Sequence, residues 1–113
     1  MICKILIGAM ALAGSVAMAG PISKFDDKKP SLETVSSIPL FDIERCMTDM
    51  DDWPVPFIYR QPDRPGELNM LWVLNAKTIG RAYFVTTPAG VVVKIWYAAG
   101  NQTKSCLATG KPR

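Results

Sequence analysis

The chain contains no histidine. That removes the usual general base and the commonest metal ligand in one step, and with them any Ser-His-Asp or Cys-His site built within the chain. Cysteine is scarce, with three among 113 residues, at Cys3, Cys46 and Cys106. No P-loop or dinucleotide fingerprint occurs, and no cofactor or metal site is expected. Acidic residues stop early: all ten lie between Asp26 and Glu67, and the six charged residues from Leu68 onward are all basic.

What is present begins with "MICKILIGAMALAGSVAMAG", in which Lys4 precedes an apolar run from Ile5 to Ala19 that closes on Ala17-Met18-Ala19. This is the three-part pattern of a secretory signal peptide over residues 1–19. The run is shorter than the about 20 residues a membrane span needs, which disfavours the competing reading of an uncleaved anchor. No cysteine follows it to carry a lipid, and no membrane span is expected after cleavage. The mature chain is then residues 20–113, secreted or periplasmic, and one small domain.

Removal of Cys3 with the signal leaves Cys46 and Cys106, an even pair in a chain addressed to an oxidising compartment. A disulfide between them is expected. A domain of this size buries a modest core and benefits from such a staple. Of the 13 basic residues, all but Lys4 remain after cleavage, so the mature charge is 12 less 10, or +2. The basic residues of the C-terminal half are scattered singly and lack interleaved aromatics, so there is no strong nucleic-acid signal.

Residues 20–37, "GPISKFDDKKPSLETVSS", are polar, charged and broken by Pro21 and Pro30, and are expected to form a flexible leader. The folded domain is expected over 38–113. In "FDIERCMTDM", Asp42 can cap a helix, and Ile43, Cys46, Met47 and Met50 follow at helical spacing as one apolar stripe. Phe41 is placed to close over Cys46 as a hydrophobic staple. Trp53 and Val55 each precede a proline and end the helix.

Four strands follow: "FIYRQ" from Phe57, "ELNMLWVLN" from Glu67, "IGRAYFVTT" from Ile79, and "AGVVVKIWYAAG" from Ala89, with Cys106 near the end of the last. Pro88 and Gly90 point to a three-residue hairpin loop, pairing Thr87 with Val91, Val85 with Val93 and Tyr83 with Ile95. That register puts Leu68, Met70, Trp72, Tyr83, Val85, Val93 and Ile95 on the helix side. It leaves Leu71, Val73, Ala82, Phe84, Val92, Lys94 and Trp96 on the other. The predicted fold class is α+β: one short N-terminal helix packed on a four-stranded antiparallel β-meander with a single disulfide.

One short helix cannot cover both sides of such a sheet, and a wet face normally shows polar alternation. An exposed apolar face marks a partner, a groove or a second copy of the chain, unless residues 20–40 fold back over it. Leu71, Phe84, Val92, Lys94 and Trp96 are therefore the candidate partner-binding residues, and "YRQPDRPGE" supplies a candidate recognition loop at Tyr59, Arg60, Asp63 and Arg64. The expected function is a small non-enzymatic binding or accessory protein of inhibitor, immunity or envelope type, whose partner is a protein. Two alternatives stand beside it: a self-assembling structural protein using the same face as a homodimer interface, and a small hydrolase or lyase using Asp49, Asp51 and Asp52. That acidic cluster lacks the spacing and the glycine of an EF-hand loop, so it reads first as a solvated helix end.

Overall fold

Two tight hairpins set the register of the sheet. Asn75 and Ala76 both take positive φ (53° and 61°), the conformation a two-residue loop requires to match the right-handed twist of its strands. They join β3 (Glu67–Leu74) to β4 (Lys77–Thr87), and Pro88 and Ala89 join β4 to β5 (Gly90–Ile95). The computed structural model describes residues 20–112; the expected signal peptide lies outside the described residues. Within them, β1 (Leu32–Ser36) and β2 (Phe57–Tyr59) complete a five-stranded antiparallel sheet in the order β1-β5-β4-β3-β2. Helices α1 (Leu40–Thr48) and α2 (Asn101–Thr109) are joined by the Cys46–Cys106 disulfide, with Cα atoms 5.6 Å apart. The α+β class and the disulfide are as expected; the counts of four strands and one helix are not.

The extra strand comes from the segment expected to be a flexible leader. Polar content suits β1 because it is an edge strand: only Ser36 of its five residues is buried. The buried Ser36 hydroxyl donates to Leu107 O at 2.6 Å and accepts from Ile38 N, so its polarity is satisfied. The extra helix lies where the sequence predicts the end of the last strand, near Cys106. Gly100 stands at its N-cap and Gly110 closes it in the left-handed conformation (φ 76°). Between them Thr103, Cys106 and Leu107 repeat at i, i+3, i+4 and are buried.

α1 starts earlier than expected. Pro39, not Asp42, is at the N-cap, and Asp42 sits in the first turn, where its charge favours the helix dipole. Ile43, Cys46 and Met47 face inward as the stripe predicts, and Met50 is buried beyond the helix end. Phe41 does not staple the helix; it is 69% exposed and lies under the Arg60 guanidinium.

The β4–β5 hairpin is shorter by one residue than predicted. Thr87 pairs with Gly90, Thr86 with Val91, Val85 with Val92 and Phe84 with Val93. Gly90 has φ 128°, and a Cβ there would come 2.6 Å from the Ser36 carbonyl oxygen, so only glycine fits. A one-residue slip exchanges the faces of a strand, and here it exchanges those of β4. Ala82 and Phe84 enter the core, while Arg81, Tyr83 and Val85 go to the outer face.

The core rows then read Ile58, Met70, Ala82, Ile95 and Leu32 across all five strands, and Leu68, Phe84 and Val93 beside them. At one end Trp72 meets Tyr97 edge-on at 4.8 Å and Trp53 stacks on Tyr97 at 5.2 Å. Burial pushes the Tyr97 hydroxyl from 10.0 up to about 12, against a smaller opposing effect of its hydrogen bond to Thr103. The folded chain thus keeps a proton that the unfolded chain releases near pH 10. Its stabilisation is complete below pH 10 and disappears as pH rises toward 12. The urea midpoint of the wild type is expected to fall through that window, losing on the order of 2 kcal/mol from this group, and Tyr97→Phe to flatten the fall. An equal fall in the variant would show that another group governs it.

Candidate functional site

The outer face of the sheet is neither bare nor sealed. A 3-10 turn at Ser23–Phe25 opens the described chain, and residues 20–29 are held against the outer face by four hydrogen bonds. Lys24 Nζ donates to Thr78 O at 2.9 Å, and Trp96 Nε1 donates to Lys28 O at 2.8 Å. Arg81 Nη1 donates to Ile22 O at 3.2 Å and to Asp26 Oδ1 at 3.0 Å. Phe25 is the one side chain of this segment that is buried, with its ring centroid 6.2 Å from that of Trp96. The leader therefore folds back over part of the apolar face, around Trp96.

Arg81 is the centre of this arrangement. β4 delivers it to the outer face because of the slipped register, and its side chain is only 7% exposed. The guanidinium carbon lies 4.9 Å from the Trp96 ring centroid and 5.1 Å from that of Tyr83, positions in which the ring quadrupoles attract the cation. Nε donates to Asn69 Oδ1 at 2.9 Å. Tyr83 in turn donates to Glu67 Oε1 at 2.5 Å, and burial followed by that carboxylate raises its hydroxyl above the usual value.

Beside Arg81 an open cleft of about 470 Å³ runs between the leader and the β2–β3 loop. Its walls include Ile22 and Asp26 from the leader, Tyr59, Gln61 and Arg64 from the loop side, and Asn69 and Arg81 from the sheet. Arg64 reaches Glu67 at 3.8 Å with more than half of its side chain exposed. Such a pair contributes little and exchanges easily. Tyr59 is nearly half exposed on the edge strand β2.

Two of the predicted site groups therefore part company. Of the predicted partner-binding face, Phe84 is fully buried in the helix-side core and Leu71 is 1% exposed on the outer side, so neither presents a surface. Val92, Lys94 and Trp96 do lie on the outer face and are half-buried; Lys94 approaches Glu33 at 3.9 Å and Trp96 lies beneath the leader. Of the recognition loop, Tyr59, Arg60 and Arg64 line the cleft, while Asp63 is not among its walls. The Arg60 side chain turns toward α1, pairing with Glu44 and lying over Phe41. Arg81, Asn69 and Tyr83 were missed as site residues because the predicted hairpin put Tyr83 in the core and left Arg81 without a role.

The acidic cluster is tied into the fold. Gln102 Oε1 accepts from Asp51 N and Asp52 N, and Gln102 Nε2 donates to Asp51 Oδ1 at 2.6 Å. Among the described residues no three or more Asp, Glu, His or Cys side chains come together in a way that could hold a metal ion, and no helix is long and apolar enough to cross a membrane. Comparison with known proteins finds no matching family model, no matching curated protein and no matching solved structure.

Proposed function

We propose that this chain is a small non-enzymatic binding or accessory protein of a secreted or periplasmic setting, and that it acts through the outer face of its sheet. The observation that supports this reading is the cleft at Arg81. It combines a nearly buried, aromatic-flanked guanidinium with two exposed groups that the core does not use, Tyr59 at the end of β2 and Arg64 on the loop that follows. Rigid strands hold the floor, and the loop supplies adaptable contacts, the usual division of labour at a recognition surface. The disulfide between the two helices is compatible with an oxidising compartment.

The test is capture of a partner from an extract of the secreting cell's envelope and medium, comparing the wild type with Tyr59→Ala/Arg64→Ala. Both substituted residues are exposed, so folding is expected to be unchanged. Loss of a specific captured protein, with an unaltered denaturation curve, is the expected result. Identical captures by the two proteins would count against the cleft as the working surface.

A further inference from the structure

We infer that Arg81, with the Trp96 surface beside it, is a receptor for a peptide segment carrying an aromatic residue next to a carboxylate, and that Phe25 and Asp26 of the leader are its tethered occupant. The inference rests on the reading above in placing recognition on the outer face, and it names the ligand chemistry. The receptor is fixed: Arg81 sits between two rings and is anchored by Asn69. The occupant is not. The Asp26 side chain is 61% exposed although its guanidinium partner is 7% exposed, so the carboxylate can leave while the cation cannot.

A nearly buried guanidinium that loses its carboxylate is left uncompensated, which is far costlier than the net value of the pair. Opening of the leader is therefore an exchange: Asp26 withdraws when another carboxylate arrives. The cleft supplies the approach, since it is open to solvent and shares Asp26 and Arg81 as walls, with Arg64 further along as a second cation. The apolar part of the recognition is the Phe25 ring on Trp96, flanked by the Lys24 and Lys28 ammonium groups at 5.6 and 5.4 Å from the Phe25 centroid. An incoming segment must offer the same pair of groups. A protein partner satisfies that, while a simple anion satisfies only the charge.

The probe is a fluorescent peptide copying residues 22–28, titrated by anisotropy into the disulfide-intact mature protein and into its Phe25→Ala/Asp26→Asn variant. The tethered leader competes with the probe, so apparent affinity falls by the fraction of molecules in which the site is free. The variant is expected to bind about tenfold or more tightly than the wild type on that relation. A peptide with both aspartates replaced by asparagine is expected to lose the gain, and inorganic phosphate to compete weakly. Equal affinity of the two proteins, or no binding to either, overturns the inference; so does full binding of the uncharged peptide. Arg81→Gln should abolish binding, and because the leader variant leaves the sheet untouched, the test survives if Arg81→Gln fails to fold. A gain in the leader variant with no effect of Tyr59→Ala/Arg64→Ala on partner capture would sink the functional reading alone. Lost capture without a gain in peptide affinity would sink this inference alone.

Discussion

Replacing Cys46 and Cys106 with serine is expected to lower the stability of the domain by about 4 kcal/mol, since the bond closes a loop with a sequence separation of 60 and so restricts the unfolded chain. Domains of this size have little in reserve, with totals of roughly 5–10 kcal/mol, so the variant is expected to keep only about 1–6 kcal/mol and to melt at a markedly lower temperature. Two features of the fold raise the effect. Both half-cystines are buried, and they belong to helices of nine residues each, too short to persist without tertiary support. The disulfide is also the covalent bond between these helices, which pack directly against each other. Guanidinium titration of the oxidised, reduced and serine forms measures the effect. A loss below about 1 kcal/mol would mean that the unfolded state retains enough structure to make the cross-link redundant.

Phe84→Ala is expected to destabilise by about 3–5 kcal/mol, as deletion of a fully buried aromatic ring leaves a cavity as well as losing transfer energy. Trp96→Ala should cost much less to the global fold. Its ring lies outside the core cluster, half-buried, with Phe25 and Arg81 as its neighbours and Lys28 O as its hydrogen-bond acceptor. The contrast checks the β4–β5 register. In the longer-loop register both residues would share the outer face, and neither substitution would unfold the protein. Urea denaturation of both variants, read by far-ultraviolet circular dichroism, decides it: comparable small losses would contradict the two-residue loop.

The fold was legible in the sequence wherever one pattern dominated. The stripe Ile43, Cys46, Met47 located a helix because its other face is charged, and β3 was recognisable because Leu68, Met70 and Trp72 alternate with Glu67 and Asn69. β4 was ambiguous because both of its faces carry apolar groups: Ala82 and Phe84 against Tyr83 and Val85. Hydrophobic alternation cannot then choose the face, and the turn decides it. Pro88 and Gly90 fit a loop of two residues as well as one of three, and the shorter one goes with the Ser36 carbonyl packed against Gly90, a contact from a strand distant in sequence. β1 was hidden for a related reason: an edge strand with one buried residue carries little hydrophobic signal, and its pairing with β5 is long-range. Half of the candidate site followed from this. Tyr59, Arg60 and Arg64 were visible as a charged aromatic loop, whereas Arg81 became a site residue only once the register had turned it outward.

The disulfide also divides the molecule into a covalent ring and two tails. Everything from Cys46 to Cys106, including β2, β3, β4 and β5, lies within the ring, whereas the leader, β1 and the first turns of α1 hang from it on one side. β1 is at the border of the sheet, so the N-terminal tail can peel away as a unit while the ring keeps its hairpins paired. Its departure must break the ion pair of Asp26 with Arg81, so the tail comes away most readily where another group meets that guanidinium. A proteolytic enzyme would trim the chain from the N-terminus up to β1 before it could enter the ring.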